Sequence, residues 1–378
     1  MPESLLQRIH QILPCLIEKD AIGEEALLLR QEIRSLGYDS EIYVERFNRG
    51  LRGKALPIEE LSFDSHTALL YHFAVGSDLT YRFVSWRGRK ILRFHNITPP
   101  HFFMKFRDFF SAQSCYLGWQ QLDMLAYEHP LMFTPSLFNV STFQSAKLFD
   151  KSRGPSPTVI PVFRRYGIFE EKMDQKTDLI QDALSQDARA AFLFVGRLSP
   201  NKCQHELISL IDQYKRFVDS KAFLCLIGSA YSREYQKTLV QFASALGLKV
   251  GFSFRDIKQS DVVFLGSVPE SELRQYYRAC RVFLCASEHE GFCVPLVEAM
   301  VGGLPILAHD SGAVPETISD PESVFNKSDY EGTLQMMFNL ATDPHLRAKK
   351  IEQGKQRSLK FSLTEIRQPF RELIHSLS

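Results

Sequence analysis

Apolar residues fall in short runs separated by polar, helix-period segments, and this alternation sets the expected elements. The first run is Arg8 to Leu16. A polar bend follows at Glu18 to Gly23, and Glu24 to Leu36 then carries Ala26, Leu27, Leu29, Ile33 and Leu36 near helical spacing. Gly37 fits the stop of that helix, and Glu41 to Val44 reads as the next strand. Further strands are expected at Ala68 to Phe73, Lys90 to Phe94 and Phe138 to Ser141. In the second half, strands at Ala191–Val195, Phe223–Ile227, Val262–Leu265, Val282–Cys285 and Pro305–Ala308 alternate with helices at Gln204–Val218, Tyr235–Leu246, Glu270–Ala279 and Pro295–Val301. Such alternation predicts an α/β fold with doubly wound parallel sheets, whose sites lie at the carboxyl ends of strands. Between the halves, Lys151 to Pro157 is rich in breakers. An extended segment, Thr158 to Val162, and a charged stretch to Ala190 follow. The hinge is therefore expected near residue 163, and Leu363 to Leu377 reads as a last helix.

Length and charge narrow the classes. The chain has 378 residues, for which two domains are the simplest division. Lys plus Arg number 45 against 44 Asp plus Glu, a net charge of +1 that argues against a general nucleic-acid binder. No apolar run is long enough to span a membrane. The opening residues lack a basic cluster followed by an apolar stretch and a small-residue cleavage site, so no secretory signal is expected. The 7 cysteines are scattered without a Cys-x-x-Cys pair, as suits reduced thiols in a reducing cytoplasm. Structural zinc is not expected, because no histidine falls at ligand spacing with them.

Two segments carry candidate chemistry. In Gly196-Arg197-Leu198-Ser199-Pro200-Asn201-Lys202, two cations share a loop where a helix begins. A helix N-terminus points free N–H groups at anions, and a guanidinium with an ammonium makes a diphosphate clamp. On spacing alone, two solvated loop charges explain the pattern as well. In Ser287 to Glu298, Pro295 suits a first helical turn, Glu290 lies in the loop before it and Glu298 one turn inside. Gly291 lets backbone N–H groups approach a ligand. Glu290 would accept hydrogen bonds from sugar hydroxyls and Glu298 from a ribose; taken alone, Glu298 reads more simply as a solvated or capping residue.

The combination is more specific. Phe194 to Lys202, then Phe264-Leu265-Gly266-Ser267-Val268-Pro269, then Glu290-Gly291-Phe292 with Glu298-Ala299-Met300, then Gly303-Leu304-Pro305-Ile306, resembles the retaining family 4 glycosyltransferases of the GT-B fold. That resemblance implies two Rossmann-like domains facing across a deep cleft: an acceptor-side domain of residues 1–162, joined by a crossover helix at 361–378, and a nucleotide-sugar-binding domain of residues 163–360. It implies that Arg197 and Lys202 neutralise the donor diphosphate and that Glu298 holds the ribose. Glu290, with the backbone of Gly291 and Phe292, would hold the transferred sugar. Val268 and Leu273 would flank the base, and Gly228 would line the donor cleft. Retention by same-face attack is implied likewise. No cofactor and no divalent metal are implied, and no Asp-x-Asp metal motif is present. Two positions where relatives often carry glycine hold Cys203 and Cys293, and Val162 to Arg165 stands where they often carry Asn-Gly.

In the first half, His95 in Phe94-His95-Asn96-Ile97-Thr98-Pro99-Pro100 resembles the active-site histidine of relatives, which would contact the transferred sugar or position the acceptor; a structural histidine is the alternative. Asp20-Ala21-Ile22-Gly23 resembles the glycine loop near the donor phosphates and acceptor, and reads equally as a helix cap. Phe102 to Phe110 is aromatic and basic. A half-buried helix is favoured there over contact with a membrane or lipid-linked acceptor. Arg49, Arg52, Lys54, Arg87, Arg89 and Lys90 would favour an anionic surface or simply a solvated face. The expected function is transfer of a sugar from a nucleotide-diphosphate donor to a glycan, lipid-linked or other hydroxyl acceptor, in polysaccharide or glycoconjugate biosynthesis. The expected place is the cytoplasm, with contact at the inner membrane face left open. The alternatives are a catalytically silent nucleotide-sugar-binding protein and a GT-B sugar-nucleotide epimerase. No Gly-x-Gly-x-x-Gly opens a βα turn, which disfavours a nicotinamide dehydrogenase.

Overall fold

The structure is a computed structural model that describes residues 6–17, 20–47, 53–166, 180, 184 and 189–377. Glu18, Lys19, Arg49, Arg52 and most of the charged stretch before Ala190 lie outside the described residues. The chain divides into two units, Met1–Arg165 with Phe361–Ser378, and Tyr166–Lys360.

The first unit is built on β1 (Arg8–Leu16), β2 (Ile42–Phe47), β3 (Leu56–Pro57), β4 (Thr67–Phe73), β5 (Lys90–Phe94), β6 (Leu131–Thr134) and β7 (Thr158–Val159). Their order is β3-β2-β1-β4-β5-β6-β7 and every pair is parallel. β4 is buried along its whole length, as expected of a strand in a sheet covered on both faces, and it carries His72 into the interior. The helix Ala21–Ser35 starts where the Asp20 carboxylate accepts from the Gly23 N–H, and it buries Ala26, Leu29 and Ile33. The last helix, Leu363–His375, adds Ile366, Phe370 and Ile374 to a core shared with Ile9, Leu29, Ile33, Phe133 and Phe163. Arg367 and Arg371 bind Glu32 at 2.9 and 2.8 Å.

Two expectations are corrected here. Phe138 to Ser141 is not a strand but part of the helix Leu137–Gln144. The Ser136 hydroxyl caps the Asn139 N–H at 3.2 Å, and the Asn139 side chain is tied to Asn96, so capping and burial override the apolar, β-branched composition. The strand is the preceding Leu131–Thr134. Nor is Phe102 to Phe110 one half-buried helix. A four-residue helix, His101–Met104, ends in a turn with Arg107 at φ 56°, and Asp108 then caps the helix Phe109–Glu128. Phe102 and Phe103 are buried, but Met104, Phe106, Phe109 and Phe110 are exposed, the last two by 62% and 67%.

The second unit carries β8 (Ala191–Val195), β9 (Phe223–Ile227), β10 (Val250–Gly251), β11 (Val262–Gly266), β12 (Val282–Cys285), β13 (Ile306–His309) and β14 (Val324–Phe325). The sheet order is β10-β11-β9-β8-β12-β13-β14, again parallel throughout. Its core packs Phe192, Phe194, Leu224, Leu226 and Leu284 against Leu207, Ile208, Ile211 and Tyr214 of the helix Gln204–Phe217. The strand order reverses at β8, which lies between β9 and β12. The loops leaving β8 and β12 therefore flank the switch point where α/β sheets bind ligands. Among the described residues no helix is long and apolar enough to cross a membrane.

Candidate active site

The carboxyl edge of the second sheet is shaped by glycines. Gly196 leaves β8 at φ 149°, Gly228 leaves β9 at φ 140° and Gly266 ends β11 at φ 64°. The Gly196 N–H donates to Ile227 and the Gly228 N–H to Gly266, so the three turns are stitched side by side. A Cβ on Gly228 would lie 2.0 Å from the Gly196 carbonyl oxygen, which leaves no residue but glycine there. This close approach sets the path of the loop that carries Arg197 and Lys202.

Two strand-end loops then meet. The Glu288 N–H donates to the Asn201 carbonyl at 2.8 Å, and the Asn201 side chain donates to the His289 carbonyl at 3.3 Å. On the far side, Gly312 sits so near the Glu290 backbone that a Cβ would come within 2.5 Å of its carbonyl. The Ala313 N–H donates to that same oxygen at 2.9 Å. These ties bring Lys202 Nζ to 2.5 Å from Glu290 Oε1, with Glu290 almost wholly buried. Burial opposes the Lys202 charge, but Glu290, with Cys293 and Cys285 close by, more than reverses this and raises its pKa above the ordinary value.

The cysteines at glycine-type positions have a common geometry. Cys203 has φ 50° and Cys293 φ 69°, both in the left-handed region that favours glycine. Each stands just before a helix, Gln204–Phe217 and Val294–Gly302. Burial pushes the Cys203 thiol up to about 12. The Cys285 thiol donates to the Ser287 hydroxyl at 3.3 Å; the neighbouring Cys293 lowers the pKa of Cys285, while Cys285 and burial raise that of Cys293 well above the usual range.

The remaining predicted residues take other partners. Glu298, buried on the helix Val294–Gly302, accepts from the Tyr277 hydroxyl at 2.9 Å. Arg197 is exposed, with its guanidinium 5.5 Å from the centre of the Tyr231 ring. Val268 and Leu273, both half-buried, flank the start of the helix Glu270–Ala279. Phe292 is buried and its carbonyl accepts from Thr317.

In the first unit, His95 at the end of β5 belongs to a network that residue spacing did not announce. His95 Nε2 lies 3.1 Å from His72 Nδ1, His72 Nε2 is 2.8 Å from Gln11 Oε1, and His95 Nδ1 is 3.6 Å from Glu25 Oε2. Glu25 and Arg93 form a fully buried ion pair at 2.7 Å, and Glu25 also accepts from the Phe163 N–H. Burial lowers the pKa of His72 to about 3 and, with Arg93 and His72 adding to the effect, that of His95 well below 6.5. Both imidazoles are neutral at physiological pH. Asp20 is the cap of the first helix, and Gly23 packs against Ile17, where a Cβ would meet the carbonyl oxygen at 2.9 Å.

A family model, glycosyl transferases group 1, matches residues 175–357. Residues 175–357 are therefore similar to that family. The family segment contains both loops of the Lys202–Glu290 pair. It is 25% identical over 171 residues to the O-antigen chain mannosyltransferase B of Escherichia coli, covering 45% of this chain and 42% of that protein. It is also 25% identical over 186 residues to the lipopolysaccharide 1,2-N-acetylglucosaminetransferase of Salmonella typhimurium, covering 47% and 45%. The aligned stretch thus spans less than half the length of these relatives. Among solved structures, Anabaena HepE in complex with UDP and glucose superposes with a TM-score of 0.70 at 18% identity, over 98% of this chain and 100% of that one. WaaG, a glycosyltransferase involved in lipopolysaccharide biosynthesis, gives 0.68 at 11% identity, over 97% and 98%. The fold is therefore GT-B, two Rossmann-like α/β units in one chain.

Proposed function

We propose that this protein is a retaining hexosyltransferase, moving a sugar from a nucleotide-diphosphate donor to an acceptor hydroxyl in polysaccharide or glycoconjugate biosynthesis. The observation that carries the reading is the Lys202–Glu290 pair, held where the loops after β8 and β12 converge beside the switch point of the second sheet. The family of residues 175–357, and the O-antigen and lipopolysaccharide transferases among the relatives, support it. In this reading, residues 163–360 bind the donor and residues 1–162, with 361–378, serve the acceptor. The incoming diphosphate exchanges for Glu290 as the partner of Lys202, with Arg197 as the second cation. Glu290 is thereby released to the sugar hydroxyls, beside the Gly291 and Phe292 backbone. Charge developing on the departing phosphate meets groups already in place, which lowers the barrier without reorganisation. Glu298, set by Tyr277, takes the ribose. Val268 and Leu273 flank the base and Gly228 lines the site. His95, neutral, contacts the sugar or acceptor, and the Asp20–Gly23 turn presents a helix N-terminus to the phosphates.

The exposed Met104, Phe106, Phe109 and Phe110, interleaved with Lys105 and Arg107, support docking of the first unit on an anionic bilayer at the cytoplasmic face. Retention on anionic but not neutral vesicles checks this. A thermal-shift series with UDP, GDP and their hexose sugars tests the donor site, since a ligand of the native state raises its melting temperature. A shift by at least one is expected; no shift with any nucleotide removes the reading. Product analysis without acceptor separates the rivals, because isomerised donor would mark an epimerase.

A further inference from the structure

We propose that Cys285, Glu290 and Cys293 form a binding site for a thiophilic divalent metal ion of the zinc class. Cys285 closes β12, Cys293 stands before the helix Val294–Gly302, and Glu290 lies in the loop between them. One donor atom from each lies within 4.8 Å of the others, and all three residues are buried. Zinc bonds of about 2.0–2.3 Å place tetrahedral ligands roughly 3.5–3.8 Å apart, so shifts of about an ångström close the set. Two sulfurs select a soft ion over magnesium or calcium.

The charges also balance. A divalent cation, two thiolates and a carboxylate sum to one negative charge, and the Lys202 ammonium at 2.5 Å from Glu290 Oε1 supplies the counter-charge. Each thiol gives up its proton to solvent on binding, so one metal releases two protons. Glu290 keeps one carboxylate oxygen on Lys202 while the other binds the metal, which orients the ligand from behind. A fourth position remains for water. The Lys202 side chain is 23% exposed and marks the way in. The metal would occupy Glu290 and so block the donor; the block, unlike the binding, rests on the proposed function.

The test is a titration of the reduced full chain with Co2+ under anaerobic conditions, with a phosphine reductant. The expected readout is the near-ultraviolet thiolate-to-cobalt charge-transfer band, bleached by Zn2+. Cys293→Gly, which suits the backbone at φ 69°, and Cys285→Ser should each weaken binding by more than about a hundredfold, beyond the usual loss from an outer-sphere change. Cys225→Ala, from the separate Cys225–Cys280 thiol pair, should leave the band intact. Circular dichroism and melting confirm that each variant is folded. No band in the wild type, a band unchanged in both site variants, or one lost in Cys225→Ala overturns the site. Zn2+ should also abolish the nucleotide thermal shift in wild type but not in Cys293→Gly. A nucleotide shift that survives Zn2+ while the cobalt band is present overturns the block and leaves the metal site standing.

Discussion

Gly228→Ala probes the close approach of two turns at the carboxyl edge of the second sheet. The added methyl would lie 2.0 Å from the Gly196 carbonyl oxygen, 2.7 Å from its carbon and 3.4 Å from the Arg197 nitrogen. No rotamer relieves contacts with backbone, so the Gly196–Arg197 turn must move by about an ångström or more. The φ of 140° adds backbone strain of about 1–3 kcal/mol, and overpacking adds a similar amount. Together these come to about 4 kcal/mol, a loss of about 8–16 °C in melting temperature for a unit of this size. Displacing Arg197 should also weaken nucleotide affinity by about tenfold to a hundredfold, the scale of one hydrogen bond to a charged group. Differential scanning calorimetry and calorimetric titration with the nucleotide that shifts the wild type give the two numbers. Gly266→Ala is the control: its Cβ meets nothing within 4 Å, so only the strain of φ 64° applies, about 1–2 kcal/mol. If Gly228→Ala melted and bound like wild type, or no worse than Gly266→Ala, the close-approach argument would be refuted.

Lys202→Ala and Glu290→Ala should each lower turnover by about a hundredfold or more, the scale of losing one preorganised group; wild-type transfer rates in folded variants would remove their roles. Arg93→Met leaves Glu25 buried without its partner and should cost about 3–5 kcal/mol in urea unfolding. His72 is pushed down to about 3 from 6.5, so the unfolded state binds the extra proton between those values. Its contribution is whole above pH 6.5 and is lost as pH falls, by about 2 kcal/mol at pH 5. In His72→Asn, the decline in stability from pH 6.5 to 4 should be shallower by about one proton; an unchanged slope would assign it elsewhere.

The interior strands β8, β9 and β12 are legible because burial on both faces leaves an unbroken apolar run, and they begin and end where the pattern predicts. The edge strands β3, β10 and β14 are two residues long, too short for any periodicity, and were not anticipated. Local β propensity points to Phe138 to Ser141 rather than Leu131–Thr134, but a serine cap and a buried asparagine pair outweigh it. In the site, the motif supplied Lys202 and Glu290 but not their contact, which depends on backbone ties between loops 88 residues apart. Of the network of Gln11, Glu25, His72, Arg93 and His95, the sequence marks His95 alone, because single polar residues obey no spacing rule. Its members meet only when β1, β4 and β5 lie side by side and the helix Ala21–Ser35 brings Glu25 to them. Conversely, the cysteines replacing glycine at 203 and 293 marked two left-handed turns.

The helix Leu363–His375 completes a core whose earlier members run from Ile9 to Phe163. On the ribosome, Ile9, Leu29 and Ile33 must therefore wait for Phe370 to be synthesised before that apolar surface is covered, whereas Tyr166–Lys360 has all its residues earlier. The unit that precedes Tyr166 in the sequence thus finishes after the one that follows it. A stop codon before Ile366 would remove Ile366, Phe370 and Ile374 and leave Ile9, Leu29 and Ile33 exposed to aggregation and proteolysis.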